Sequence, residues 1–301
     1  MTDTLTLDHA RRWVAMPKMA PEVEKRAALG AIAFLRDVAE RLEGALADIA
    51  AGRAPADGSE LHAVWDFSAF APETIDFLIA LLGEGEVRIT LCRGEAKTAD
   101  TVVPGLWRVQ TGRDGESNSF VLARIPRAVE HFAEQGLERV PRLVNPDRDV
   151  FAATAILAEL NELLESTDLT TIPASTAPMV ELSRQPLTPS DLTALYSTLG
   201  TGEVEAALLG FARSTITSTT VRNVWHSRIV NNAGKNLLEA YVVAKLPPEL
   251  PVAVEEFADG AARCRELVEW LEADIERGAI GEAVGGKANE KEKLPREAAQ
   301  A

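Results

Sequence analysis

The chain has 301 residues, 46% of them hydrophobic and 26% charged, enough apolar material for two domains or for one built from two halves. Its 46 acidic and 31 basic residues give a net charge of −15, which disfavours binding to nucleic-acid phosphates and suits a basic partner face. Two distant cysteines, Cys92 and Cys264, and four scattered histidines offer neither a disulfide framework nor metal-ligand spacing, so no cofactor or metal is expected.

The N-terminal MTDTLTLDHARRW lacks the apolar core of a signal peptide, and no apolar run approaches the length of a membrane span. The expectation is a cytoplasmic protein with no stable membrane insertion. Residues 1–20 read as loosely ordered. From Pro21 to about Ala51, Val23, Ala27, Ala31, Phe34, Val38, Leu42, Ala45 and Ile49 recur at spacings of three and four, which predicts a long amphipathic helix. RAPADGSE follows as a linker.

A first unit starts with LHAVWDF as strand and PETIDFLIALL as helix, whose proline fits the first turn. Gly83 fits the C-cap, and GEG turns the chain into a strand over Glu86–Cys92. A polar loop leads to a strand around Leu106–Thr111. GRDGESN then turns into a strand over Ser119–Ile125, and RAVEHFAEQG restarts as helix. PDRDVFAATAILAELNELLES is a connecting helix with Phe151, Ala155, Leu157, Leu160 and Leu164 on its apolar side, and TDLTTIPASTAP is a loop. The second unit repeats the order: MVELS strand, PSDLTALYSTL helix, then strands over Glu203–Phe211, Val221–Val230 and Leu237–Leu246. A helix over about Val252–Arg277 carries Phe257, Ala261, Cys264, Val268, Leu271 and Ile275 as its stripe. GAIGEAVGGKANEKEKLPREAAQA reads as a disordered tail.

The order repeats because the sequence does. Pro72–Val87 and Pro189–Val204 share seven of sixteen residues, including LGEGEV and LGTGEV, at an offset of 117. Trp107 answers Trp225 at 118, and Ile125-Pro126 answers Leu246-Pro247 at 121. The fold expected is α+β, with two tandem β-α-β-β-β repeats related by a pseudo-two-fold and antiparallel sheets covered by long helices. The divisions are 1–58 (N-terminal segment and long helix), 59–140 (first repeat), 141–176 (connecting helix and linker), 177–279 (second repeat with C-terminal helix) and 280–301 (tail).

Several residues carry candidate chemistry. Glu86 and Glu203 could form a carboxylate pair if the two turns met, although glycines at a helix-to-strand turn need no catalytic reason. Trp107 and Trp225 suit the core, or an interface if exposed in a groove. Trp225 and Ser227 share a strand face and His226 points to the other, so this stretch alone builds no nucleophilic dyad. TITSTTVRN, a loop-to-strand crossing, satisfies its own backbone or holds an extended peptide through its hydroxyls, Arg222 and Asn223. Cys264, on a helical stripe, reads as a buried inert thiol, while the reactivity of Cys92 stays open.

LGTGEV, a Gly-aromatic element at Gly210-Phe211 and TITSTTVRNVW resemble the C-terminal region of the HupH/HyaF/HoxQ proteins. LLGEGEV followed by VVPGLWRV resembles their first-half motif, so the likeness covers roughly residues 61–250. Ser214 stands where that family is expected to carry a cysteine, and His226 follows Trp225 in place of a second Trp. The resemblance implies an accessory role in maturing the iron–sulfur small subunit of an uptake [NiFe]-hydrogenase, before twin-arginine export. The precursor would be the partner, alongside a thioredoxin-like accessory protein. The expectation is therefore a non-enzymatic maturation chaperone. Its partner-binding residues would be Glu86, Trp107, Arg108, Glu203, Phe211, Thr217, Thr219, Arg222, Asn223 and Trp225. Two alternatives are a small-molecule or thiol-active enzyme in which Glu86, Glu203 and Cys92 converge in one cleft, and a general scaffold in a maturation complex.

Overall fold

A computed structural model describes residues 18–112, 115–144, 146–169, 177–210 and 212–281. The first helix, α1 (Pro21–Ala50), begins on Pro21 and buries Ala27, Ala31, Phe34, Val38 and Leu42, the stripe its 3.6-residue period marks out. The first unit follows as β1 (Ala63–Asp66), α2 (Pro72–Leu82), β2 (Val87–Leu91), β3 (Ala96–Asp100), β4 (Leu106–Thr111) and β5 (Ser117–Leu122). Two helices intervene, α3 (Arg127–Ala133) and α4 (Ala153–Ser166). The second unit comprises β6 (Met179–Glu181), α5 (Pro189–Leu199), β7 (Val204–Leu209), β8 (Arg213–Ser218), β9 (Val224–Val230) and β10 (Asn236–Val243). The last helix is α6 (Glu256–Glu276).

The strands form one sheet of ten, in the order β1-β5-β4-β3-β2-β7-β8-β9-β10-β6. Every pairing in it is antiparallel. This departs from separate sheets of three-stranded repeats in two ways. The units join along β2 and β7, and four strands rather than three follow each unit's helix. The two strands that sequence reading left out are β3, inside the presumed polar loop, and β8, inside the hydroxyl-rich run. AKTAD is a poor strand sequence by composition and is held between two neighbours, so pairing supplies what propensity lacks, whereas RSTITS carries the β-branched Thr215, Ile216 and Thr217 within its hydroxyl-rich run. At the join Val87 faces Leu208, Ile89 faces Ala206 and Leu91 faces Val204, so equivalent positions exchange partners across the seam.

Apolar residues divide among three clusters because strand side chains alternate between faces. On one face, Leu106, Phe120 and Leu122 pack beneath α1, α2 and α6. On the same face of the second unit, Val224, Tyr241 and Val243 pack beneath α4 and α5. The opposite face carries Ile89, Leu91, Trp107, Val204, Ala206, Ile216 and Trp225, covered by α3 and by Leu250 of the segment after β10. That segment crosses to the first unit, where Val252 N–H donates to Arg124 O at 2.8 Å. In the other direction Leu137 N–H donates to Thr220 O of the second unit at 2.8 Å. Each unit thus ends on the other.

Three sequence expectations change here. Helix α6, grouped by sequence with the second unit, packs against α1 in the first unit's cluster. Ile280, assigned to the tail, is 5% exposed and belongs to that same cluster. Phe151, assigned to the apolar side of α4, lies before the helix and is 71% exposed. The rest of the tail, residues 1–17, most of the TDLTTIPASTAP loop and the tip of the GRDGESN turn lie outside the described residues.

Candidate functional site

The repeated Gly-x-Gly-Glu turn is a structural joint. Gly83 and Gly200 end α2 and α5 at φ 58° and 59°, in the region that favours glycine, and their N–H groups donate to Ile79 O and Tyr196 O. Gly85 and Gly202 are needed for a second reason, close approach. A Cβ on Gly85 would lie 2.5 Å from Asp100 Oδ1, and one on Gly202 would lie 2.5 Å from Ser218 Oγ and from the Thr219 carbonyl. Asp100 and Ser218 in turn accept from the backbone N–H of Val87 and Val204, at 2.9 and 3.0 Å.

The two glutamates of these turns do not meet. Glu86 O accepts from Leu209 N–H, and Glu203 O accepts from Cys92 N–H, at opposite ends of the β2–β7 pair. Six residues of strand separate them, about 20 Å at ~3.3 Å per residue. A cleft in which Glu86, Glu203 and Cys92 converge is therefore absent. Burial raises the Cys92 thiol pKa above its usual value, and the charges of Glu203 and Glu95 push it further, the reverse of an activated nucleophile. Burial likewise pushes Cys264 up to about 12.

Most of the other partner-binding candidates serve the frame. Trp107 and Trp225 are 0% and 1% exposed, and each indole N–H donates to a carbonyl, Ala123 O and Ala244 O, both at 3.0 Å. They are core residues with satisfied polar edges. Thr219 is buried and accepts from Val221 N–H at 3.1 Å, as Thr101 accepts from Val103 N–H at 3.2 Å. Asn223 holds a left-handed turn at φ 65°, a conformation asparagine tolerates, where the first unit has Gly105 at φ 88°. Arg222 lies 3.7 Å from Glu138 on the crossing segment. Phe211 lies outside the described residues.

Arg108 and Thr217 remain, and both stand on the helix-side face of the sheet centre. That face is legible from register. One row across the sheet reads Phe120, Arg108, Ala99, Arg88, Ala207, Thr215, Arg228, Glu239. The next reads Asn118, Gln110, Lys97, Thr90, Glu205, Thr217, His226, Tyr241. On β2, β3, β7 and β8 none of these residues belongs to a core cluster. Four strands thus present a polar floor between the two helix-covered halves.

At the second-unit end the floor drops into a cavity of about 300 Å³ lined by Tyr196, Gly200, Thr201, Glu205, Thr217, Ser218, His226 and Tyr241. Glu239 organises its wall: Tyr196 Oη donates to its Oε1 at 2.5 Å, His226 Nε2 lies 2.9 Å from the same oxygen, and Asn236 Nδ2 donates to Oε2 at 2.8 Å. Burial raises the Glu239 carboxyl, but the hydrogen bonds from Tyr196 and His226 outweigh it, so the group sits below the usual carboxylate value. Burial and the Glu239 contact push the Tyr196 phenol up to about 12. This cluster is not legible in the sequence, because Tyr196, His226 and Glu239 come from a helix and two strands. The one available hint was that His226 faces away from Trp225. A larger groove, about 680 Å³, runs between residues 141–143 and α4 and is lined by Pro141, Leu143, Leu157 and Asn161. Among the described residues no group of three or more His, Cys, Asp or Glu is placed to hold a metal, and no helix is long and apolar enough to cross a membrane.

Residues 150–271 match the family model described as HupH hydrogenase expression protein, C-terminal conserved region. Over 201 residues the chain is 29% identical to the Hydrogenase-1 operon protein HyaF of Escherichia coli K12, covering 65% of this chain and 68% of that protein. Over 263 residues it is 28% identical to the hydrogenase expression/formation protein HoxQ of Cupriavidus necator, covering 86% and 88%. A solved structure of the hydrogenase expression protein HupH from Thiobacillus denitrificans aligns at 30% identity and a TM-score of 0.34, covering 40% of this chain and 95% of that one.

Proposed function

We propose that this chain, which belongs to the HupH/HyaF/HoxQ family of hydrogenase expression and formation proteins, acts as a non-enzymatic chaperone for the iron–sulfur small subunit of an uptake [NiFe]-hydrogenase. It binds the precursor in the cytoplasm, before the subunit's clusters are complete and before export, alongside a thioredoxin-like accessory protein. The relatives' shared part in hydrogenase expression and formation carries this reading. The molecule is suited to holding a polypeptide. Its two units are taken as copies related by a pseudo-two-fold through the Ile89–Ala206 pair, as the exchanged register across β2 and β7 suggests. Their joined sheet leaves a broad polar floor open between α2 and α5, and a net charge of −15 suits a basic face on the partner.

Affinity capture from cells making the small-subunit precursor tests the proposal. The tagged protein should retain the precursor but not the exported, cluster-complete subunit, and a deletion strain should accumulate immature hydrogenase. Normal maturation in the deletion strain, with no precursor captured, refutes it.

A further inference from the structure

The first unit's half of the polar floor is basic on a protein that is otherwise strongly acidic. Arg88, Lys97 and Arg108 lie on three adjacent strands, β2, β3 and β4, and point to the same side. Arg88 and Arg108 both flank Ala99, so their backbones are two strand spacings apart, about 10 Å, and Lys97 sits one pleat along between them. The small Ala99 leaves a trough between the two guanidinium stems. Among the described residues only Arg88 of the three has an acidic partner, Glu84 at 2.9 Å, and it stays half exposed. Lys97 and Arg108 form no ion pair among the described residues.

Two atoms in the trough are buried without a hydrogen-bond partner: Arg108 Nε and Asn118 Oδ1. Buried polar atoms are satisfied in the great majority of proteins, and an unpaired guanidinium N–H costs free energy unless a ligand completes it. The second unit carries the opposite character at matching positions. Glu205 stands where the first unit has Arg88, and His226, engaged with Glu239, stands where it has Arg108. The basic trough is therefore a property of the first unit, not of the shared frame.

We propose that Arg88, Lys97 and Arg108 form a docking surface for an acidic segment of a partner protein, with carboxylates bridging the guanidinium groups of Arg88 and Arg108. Charge selects the occupant: planar guanidinium groups pair with carboxylates through two parallel hydrogen bonds, and the surrounding surface repels other anionic bodies at long range while the trough attracts a local acidic stretch. Gln110 and Asn118, at the outer end of the same rows, supply amide groups to the segment's backbone. The surface goes beyond the chaperone reading, because it fixes the chemistry of the bound segment whichever protein supplies it.

Fluorescence anisotropy with a labelled alternating Glu–Ala peptide, roughly ten residues long, against the full chain at about 50 mM salt tests this directly. The wild-type protein should bind it, and a Lys–Ala peptide of equal length should not compete. Arg108→Gln should weaken binding about tenfold and Arg88→Gln with Lys97→Gln further, whereas Glu205→Gln on the second unit should leave binding equal or tighter. Circular dichroism and thermal melts confirm that each variant is folded. Absence of binding by the wild type, or equal binding by the folded Arg108→Gln protein, overturns the proposal. So does concentration-dependent self-association abolished by Arg108→Gln, which assigns the trough to a second copy of the chain. Precursor capture that succeeds with wild type and is unchanged by Arg108→Gln, together with no binding of the Glu–Ala peptide, removes the trough while leaving the chaperone function standing.

Discussion

In the first unit Gly85 closes on Asp100, Thr101 braces Val103, and the Trp107 indole donates to Ala123 O; in the second Gly202 closes on Ser218, Thr219 braces Val221, and Trp225 donates to Ala244 O. These contacts set backbone geometry, and the atoms that make them correspond at offsets of 117 to 121 residues. The units diverge where no backbone contact depends on the side chain. At the third position of the unit helix, Thr74 packs against Gly30 of α1, where a Cβ would lie 2.7 Å from its Oγ1. Its counterpart Asp191 instead caps two helices. It accepts from Phe151, Ala152 and Ala153 N–H at 2.8 to 3.0 Å at the start of α4, and pairs with Thr188 in a capping box on α5. One unit joins its two helices by close packing and the other by a buried carboxylate. On the sheet floor the divergence reaches opposite charge, Arg88 against Glu205. A frame fixed by hydrogen bonds leaves its open face free to specialise.

The strongest way to break this comparison is to remove the matched tryptophans. Trp107→Ala and Trp225→Ala should each destabilise by about 3–5 kcal/mol in chemical denaturation, since both rings are fully buried on the same face. A loss confined to one of them would show that the units do not share a frame energetically.

Next is Asp191→Ala, expected to cost about 3 kcal/mol by leaving the N–H groups of Phe151, Ala152 and the buried Ala153 without their acceptor, against about 1 kcal/mol for Thr74→Ala. Burial raises the Asp191 carboxyl, but the hydrogen bonds from Ala153 and Thr188 overwhelm it and hold the group far below its ordinary value of 3.8. A depressed pKa gives stability that is complete above the unfolded value and lost as pH falls below it. Acid unfolding of the wild type should therefore steepen below about pH 4, and Asp191→Asn should flatten that limb.

A glycine pair sharpens the comparison further. Gly202→Ala should destabilise by about 3 kcal/mol and Gly85→Ala by about 1–2 kcal/mol, because the added methyl meets the rigid Thr219 carbonyl in the second unit but only the movable Asp100 side chain in the first. Thermal melts of the two variants measure the difference.

Exchanging the brace itself has the smallest effect. Asp100→Ser copies Ser218 into the first unit and should change stability at neutral pH by less than about 1 kcal/mol. Burial raises the Asp100 pKa against the opposing backbone hydrogen bonds from Val87 and Glu86. A raised carboxyl pKa means the folded state holds its proton more tightly, so stability declines as pH rises through the interval between the unfolded and folded values. Relative to wild type, the variant should gain stability as pH rises above about 4, the unfolded value, which denaturation at several pH values detects.

The periodicity of α1, the Pro72–Leu82 and Pro189–Leu199 helices and the glycine C-caps were legible in the sequence, because each depends on residues within a few positions of one another. LGEGEV and LGTGEV gave the correspondence between the units, and the Gly-x-Gly spacing is now explained by a left-handed cap followed by a close approach. The strands β3 and β8 were not legible, since AKTAD has little strand propensity and the hydroxyls of RSTITS equally suit local hydrogen bonds to the backbone. Nor was the candidate surface. Arg88, Lys97 and Arg108 are separated by loops of no distinctive composition, and Tyr196, His226 and Glu239 meet only because α5 lies over β9 and β10. Local patterns determined the elements and their twofold recurrence. Register between β2, β3 and β4 decided which charges share a face, because a slip of one residue turns a strand's side chains to the other side and the pairing is not written in any one stretch of chain.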